Sequence, residues 1–257
     1  MYTFFIIHHA IMTDIMNNLL NAKSNMNNDF EQNFEYVYKL SESSFSHSEL
    51  LNMLKDGNIQ QKQIAALKFD SINNTEDAYA LLSNLTGCDG KIREAVANKL
   101  NYLLIHNPEA ASILPSIAGN IFADATIDIN ANICRLIVDS AAILKDYEEF
   151  AVQYTSKILD YTKEALDALD KFIFKDKKYM INKQLFKLYW CLEAICIFKE
   201  NIDSDELNKI LLKCANQSEY TIREKVAKII ASDKNFYQLR KTLENDGNYY
   251  VREALYH

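Results

Sequence analysis

The sequence predicts an all-α protein, an α-α superhelix in which helix pairs stack into an array. Glycine and proline are scarce, with 5 and 2 among 257 residues, whereas sheets and βα units need many such turn residues. The fragment Ile-Arg-Glu occurs at Ile92 and Ile222, and Val-Arg-Glu occurs at Val251. A fragment that returns at the same place in successive helices is typical of a stacked repeat.

Capping signals predict where the helices begin. Ser46 is followed three residues later by Glu49, which is the spacing of a capping box, where each side chain bonds the other's backbone N–H. Asp203 and Glu206 repeat that spacing. We therefore expect the first helix of a pair to begin at each of these two places.

Two prolines mark a third helix start. Asn107 fits a helix cap, and Pro108 then takes the first helical position, where a missing N–H costs no hydrogen bond. Pro115 lies further along the same helix and should bend it. The repeat spacing lengthens between Lys145 and Lys178, so we expect an extra turn or a longer helix there.

The second helices of the pairs align on the apolar residue that follows the recurring fragment. Most aligned positions lie near the period of about 40 residues that two-helix repeats show. The aligned positions are Gln61, Arg93, Asn130, Asn182, Arg223 and Arg252.

This pattern resembles the HEAT-repeat family. The resemblance covers most of residues 46–257 and implies a HEAT-like solenoid of about five to six helix pairs, with residues 1–45 as capping helices. In that family an acid in the turn and a basic residue early in the second helix form a ladder between adjacent pairs. The matching residues are Asp56 with Lys62, Asp89 with Arg93, Glu219 with Arg223, and Asp246 with Arg252.

Charge and cysteine content bound the class of partner. The net charge is −7, and all of the acidic excess lies in residues 1–144, which does not suit a protein that binds duplex nucleic acid. The 5 cysteines are an odd number, as expected for reduced thiols in a cytoplasmic protein. The apolar run Phe4–Ile7 is too short to cross a bilayer, so we expect no membrane span and read residues 2–20 as an amphipathic helix.

Motifs for catalysis are missing from the sequence. It has no glycine-rich phosphate loop, nucleophile elbow or His-Glu-x-x-His helix, and its five histidines are scattered. We therefore expect no catalytic residue, metal site or cofactor. Repeat arrays are mostly binding surfaces, and the sequence predicts a scaffold that binds a protein partner on the concave side of its second helices. The predicted surface residues are Glu94, Asn98, Arg135 and Asp139.

A basic and aromatic stretch over residues 171–190 leaves an alternative open. Lys171, Lys175 and Lys178 share one helical face among aromatic residues, and such a surface can bind single-stranded nucleic acid. The plainer interpretation is a solvated lysine face above a buried aromatic stripe. Resemblance to HEAT-like DNA glycosylases implies DNA repair as one alternative, and resemblance to phycobilin lyases implies a chromophore-lyase-like or chaperone-like protein as another.

The last copy of the fragment, near Val251, is too short for a full second helix. Val251 and Leu255 would then lie on a half-finished apolar edge. Three outcomes are open: the preceding turns cap the edge, a second chain covers it by self-association, or the array is longer.

Overall fold

The computed structural model describes residues 29–171, 178–231 and 233–256. All regular structure within these residues is helical, with fourteen α-helices and two short 3-10 helices. The all-α fold predicted from the scarcity of turn residues is confirmed. The amphipathic helix expected over residues 2–20 lies outside the described residues.

The chain forms two compact units that divide between Ala65 and Ala66. The first unit contains α1 (Asp29–Glu42), α2 (His47–Asp56) and the start of α3 (Ile59–Lys68). Within this unit the side-chain amide of Asn58 donates to the hydroxyl of Tyr36 on α1 at 3.3 Å. The unit boundary falls within α3.

The second unit contains five helix pairs. Each pair has a first helix and an antiparallel second helix, and the second pair opens with two short helices in place of one. The first helices are α4 (Thr75–Leu82), α6 (Pro108–Ile113) with α7 (Pro115–Thr126), α9 (Glu148–Lys171), α11 (Ser204–Ala215) and α13 (Tyr237–Glu244). The second helices are α5 (Gly90–His106), α8 (Ala131–Ile143), α10 (Lys178–Phe198), α12 (Tyr220–Ile230) and α14 (Tyr249–Glu253).

These helices form two layers within the second unit. Each second helix packs on the second helix of the next pair, in the order α5, α8, α10, α12 and α14, and the first helices pack in the same order in the other layer. One helix pair cannot bury its apolar face alone, so each pair uses the next one as part of its core. The helix-pair repeat predicted from the recurring fragment is present.

The capping signals act as the sequence predicts at Ser46. Its side chain accepts the N–H of Glu49, and the Glu49 carboxylate accepts the N–H of Ser46, which completes the capping box. Asp203 accepts the N–H groups of Asp205 and Glu206. The Glu206 carboxylate, however, contacts Lys163 on α9 at 2.5 Å, so a tertiary ion pair takes the place of the expected return bond.

The two prolines divide the second pair as their chemistry requires. Asn107 caps α6 with Pro108 at its first position, and Pro115 begins the separate helix α7, because proline lacks the N–H that a continuous helix would use. The long spacing that follows is filled by α9, a helix of 24 residues.

Aromatic side chains form the centre of the core where α7, α9 and α10 meet. Phe150 lies between Phe122 and Phe198, with ring centroids 5.7 and 6.3 Å apart. Tyr154 is fully buried, and its hydroxyl bonds that of Thr126 at 2.8 Å. This bond satisfies both hydroxyls, so the core contains no unpaired polar atom at that point.

Candidate binding surface

A connected row of polar side chains crosses from α5 to α8 on the second helices. The amide of Asn132 donates to the carboxylate of Glu94 at 2.9 Å. Arg135 donates to the side-chain amide oxygen of Asn132 at 2.9 Å and to the Asp139 carboxylate at 3.4 Å. Residues three and four apart share one helical face, which is why α8 presents these three side chains together. We call Glu94, Asn132, Arg135 and Asp139 the polar row.

Access to solvent differs along the polar row. The side chains of Arg135 and Asp139 are 58% and 53% exposed, whereas that of Glu94 is 28% exposed. Asn98, one turn after Glu94, is half-buried, and its amide donates to the Glu94 backbone carbonyl at 2.9 Å. The structure therefore brings the four predicted surface residues together, and Arg135 and Asp139 are the most accessible of them.

The end of the same helix, α5, carries exposed aromatic surface. Tyr102 is 42% exposed, and its ring stacks on His106 at 4.2 Å. Beneath it Lys99 is buried, with its Nζ 5.1 Å from the Tyr102 ring centroid. Burial disfavours the charged amine and lowers the pKa of Lys99 to about 8, although Asp70 partly opposes this.

A second buried lysine links α10 to α12. Lys225 contacts the carboxylate of Glu193 and lies 4.7 Å from the ring centroid of Tyr189. Burial disfavours its charge, but the bond to Glu193 outweighs this, so the pKa of Lys225 is raised. This lysine therefore keeps its proton and fixes the two helices rather than offering a reactive amine.

Tyrosines line the second helices further along the unit. The rings of Tyr220 on α12 and Tyr250 on α14 lie 6.3 Å apart, and Tyr249 lies 5.7 Å from Tyr250. All three are exposed.

Exposed large apolar and aromatic side chains favour the second helices. Among the described residues of the second unit, eight lie on second helices and four on first helices. Those on second helices are Tyr102, Ile105, Ile143, Tyr179, Met180, Tyr220, Tyr249 and Tyr250, and those on first helices are Tyr79, Val152, Leu212 and Tyr237.

Two arginines early in second helices link neighbouring pairs. Arg93 on α5 donates from Nε to Asp128 at 2.6 Å and from Nη2 at 3.3 Å. Arg223 on α12 does the same to Asp246, at 2.6 and 3.1 Å. In each case the carboxylate belongs to the turn of the next pair. These hydrogen bonds raise the pKa of both arginines and lower that of Asp246.

The structure gives the predicted turn acids other roles. Asp89 caps its own helix by accepting the N–H of Lys91 at 2.8 Å, so the partner of Arg93 is Asp128 instead. Glu219 precedes α12 and bonds the Thr221 hydroxyl at 3.4 Å, while Arg223 takes Asp246. Local capping competes for Asp89, the acid nearest to Arg93 in sequence, and this explains the first difference. The Glu219 side chain makes no capping bond.

The remaining predicted ladder residues lie at the two ends of the described chain. Arg252 donates from Nη1 to the backbone carbonyl of Asp246, not to its carboxylate. Asp56 is exposed and Lys62 is half-buried, both in the first unit.

Comparisons with known proteins give a likeness of fold alone. No protein-family model and no curated protein matches the sequence. A computationally designed armadillo repeat protein for modular peptide recognition has a TM-score of 0.47 at 11% identity, over 82% of this chain and 97% of that one. An archaeal HEAT-like repeats protein from Thermococcus onnurineus NA1 has a TM-score of 0.45 at 11% identity, over 83% and 79% of the chains. An engineered protein has a TM-score of 0.43 at 12% identity, over 82% and 94%.

The basic and aromatic stretch is only partly described. Lys171 and Lys178 are exposed, and residues 172–177, with Lys175, lie outside the described residues. Lys187 contacts Glu164 at 2.8 Å and lies 4.4 Å from the ring centroid of Tyr161. One lysine of this stretch therefore joins α10 to α9 in place of facing a ligand.

An open groove of about 480 Å³ lies between the first helices α9 and α11. Its walls hold both charges, with Lys163 on Glu206 and Lys213 3.9 Å from Asp167. Over the described ranges, no group of three or more His, Cys, Asp or Glu could hold a metal ion. Within the same residues no helix has the length and apolar character to cross a membrane.

Asp128, the partner of Arg93, is not among the ladder residues predicted from the sequence. The signal that would have found it is the spacing Asp-x-Asn before a second helix, which Asp128-Ile129-Asn130 shares with Asp246-Gly247-Asn248. In both turns the aspartate also accepts the N–H of the asparagine at 2.8 Å, which orients the carboxylate toward the preceding pair.

Proposed function

We propose that the protein is a non-catalytic scaffold whose second-helix layer, within residues 66–256, binds a protein partner. The observation that carries this proposal is the excess of exposed tyrosine and apolar side chains on that layer. Tyrosine, methionine and arginine are enriched where proteins meet. Tyrosine and arginine combine apolar area with a polar group, and methionine is a flexible apolar side chain that adapts to a partner's surface.

The polar row suits the rim of such an interface. Arg135 and Asp139 pair with each other when no partner is present, and an exposed pair of this kind is held by only about 0.5 kcal/mol. Both groups can therefore exchange that contact for one with a partner at little cost. With two acids and one base, the row does not favour phosphate groups, so it fits a polypeptide better than a nucleic acid.

Site-directed crosslinking tests which layer meets the partner. Tyr102 on α5 and Tyr79 on α4 belong to the same helix pair, lie in opposite layers, and are 42% and 53% exposed. Each is replaced in turn by the photoreactive analogue benzoylphenylalanine, which keeps the aromatic ring. In extract from the source cell we expect position 102 to give a discrete crosslinked protein, identified by mass spectrometry, and position 79 to give none.

Three results would count against the proposal. They are equal crosslinking from both layers, crosslinking to nucleic acid in place of protein, or turnover of a substrate by a chain that captures no protein. A titration with single-stranded DNA and RNA at increasing salt distinguishes specific nucleic-acid binding from nonspecific electrostatic attraction.

A further inference from the structure

The guanidinium of Arg252 is bonded on one side only. Arg93 and Arg223 each donate from Nη1 to a carbonyl in the turn before their own helix, and from Nε and Nη2 to an aspartate of the next pair. Arg252 repeats the first half of this arrangement, with Nη1 on the carbonyl of Asp246. Among the residues that the structure describes, its Nε and Nη2 have no acceptor. Arg252 thus leaves open the fork of two donors, Nε and Nη2, with which Arg93 and Arg223 hold the neighbouring pair.

The two internal links define what such a fork accepts. Both carboxylates come from an Asp-x-Asn turn, in which one carboxylate oxygen also accepts the N–H of the asparagine two residues on. The asparagine then caps the second helix, as Asn130 and Asn248 do by accepting the N–H of Asn132 and Tyr250 at 2.9 Å. The turn holds the carboxylate still, and a planar guanidinium matches it with two parallel bonds.

The surroundings of Arg252 also fit an interface. Tyr249 lies three residues earlier on the same side of α14, and Tyr256 lies just beyond the helix, with its ring centroid 5.5 Å from the guanidinium carbon of Arg240. Both tyrosines are exposed. By contrast, Val251 and Leu255 are buried. The part of the chain that precedes them covers these apolar side chains, as in the first of the three outcomes that the sequence left open.

We propose that Arg252, with Tyr249 and Tyr256, is a docking site for a helix pair of another polypeptide whose interhelical turn has the Asp-x-Asn form. The partner's aspartate takes Nε and Nη2, and its second helix packs beside α14 as α14 packs beside α12. This site is separate from the polar row, and it shares only Tyr249 with the exposed side chains counted on the second-helix layer.

The probe for this site is a synthetic peptide of residues 229–256, which carries the turn of Asp246. It is titrated into the chain of 257 residues, and binding is followed by anisotropy of a fluorophore on the peptide. We expect saturable binding, weakened about tenfold by D246N in the peptide and about tenfold by R252Q in the protein, with little further loss when both are present. K145Q in the protein removes an exposed positive charge that belongs to neither proposed surface, and it should leave the affinity unchanged. Equal binding of the Asp and Asn peptides would overturn the proposal.

A joined chain guards against a peptide that fails to fold. Residues 229–256 are appended directly after His257, which sets the copied aspartate 23 residues after Arg252, the separation between Arg223 and Asp246. R252Q should lower the urea midpoint of this chain, and should have much less effect when the copied residue is asparagine. If R252Q lowers both midpoints equally, the fork does not hold the aspartate and the proposal fails, whatever the free peptide does.

Discussion

Arg93 and Asp128 join two neighbouring helix pairs across 35 residues of sequence, with Nε and Nη2 on the two carboxylate oxygens. Their side chains are 14% and 9% exposed, so water screens the pair weakly. The same arginine donates to the carbonyl of Cys88 in its own turn. One side chain therefore fixes the turn of one pair against the turn of the next, and Arg223 with Asp246 repeats the device further along the unit.

Removing either member of the Arg93 and Asp128 pair should lower stability. R93Q leaves a carboxylate without its main partner, and D128N leaves the guanidinium without its counter-charge, so each should cost about 2 kcal/mol. The double variant should cost less than the sum. The measurement is a double-mutant cycle in urea, followed by the fluorescence of Trp190, the single tryptophan of the sequence.

The exposed pair of Arg135 and Asp139 is the control for that cycle. The two residues are four apart on α8, and their side chains are open to solvent. The coupling free energy of this pair should therefore be about 0.5 kcal/mol or less. Equal coupling energies for the two pairs would show that burial does not set the strength of the link.

The link between Arg223 and Asp246 should make stability depend on acidity. The bond from Arg223 holds the pKa of Asp246 below its ordinary value of 3.8. An acid whose folded pKa is depressed contributes stability above its unfolded pKa and loses it as pH falls through the folded pKa. The difference in unfolding free energy between wild type and D246N should therefore be constant near neutral pH and shrink below about pH 4. A difference that stays constant down to pH 2 would contradict this.

Lys99 should destabilise the folded protein at neutral pH. Its pKa is about 8 when folded, against an ordinary value of 10.5, so between these values the unfolded chain binds more protons and stability rises with pH. K99M removes the buried charge. It should stabilise the protein by about 1–3 kcal/mol at pH 7, and this gain should fade between pH 8 and 10.5. The check is urea unfolding across that range, with K183M, at an exposed position, as the control that shows no such trend.

Gly119 permits the close approach of α7 and α9. A Cβ atom there would lie 2.7 Å from Cβ of Gln153 and 3.2 Å from the carbonyl oxygen of Phe150. Alanine favours a helix over glycine by about 1 kcal/mol, but the clash should outweigh this, and G119A should lower stability by about 1–3 kcal/mol. At Gly247 no heavy atom lies within 4 Å of the added atom, so G247A should be neutral or slightly stabilising. Thermal melts of the two variants and the wild type are the measurement. A stabilising G119A would show that the two helices can move apart freely.

Local chemistry explains which features could be predicted from the sequence. The starts at Ser46 and Asn107 depend on side chains that bond the backbone within three residues, so the sequence alone contains the whole interaction. The pairing of Arg93 cannot be predicted from local sequence in this way, because Asp89 and Asp128 are both candidate partners. Asp89 is nearest in sequence but is used as a helix cap, and only the stacking of the next pair brings Asp128 within reach.

The candidate binding surface also has features that the sequence predicts and features that it does not. The sequence predicts Glu94, Asn98, Arg135 and Asp139 as surface residues of the second helices. The structure connects Glu94 to Arg135 and Asp139 through Asn132. The burial of Lys99 and Lys225 was not predictable, since it depends on how the helices of neighbouring pairs cover each lysine. Charged residues are expected outside, and a sequence pattern does not show which of them the packing encloses.

The central claim, that the second-helix layer binds a protein partner, is tested most directly by one pair of dissociation constants. With the partner captured at position 102 purified, its affinity is measured for Y102A on α5 and Y79A on α4, after both variants are shown to be folded. We expect Y102A to weaken binding by about tenfold or more and Y79A to change it by less than about twofold. Equal losses, or a loss for Y79A alone, would contradict it.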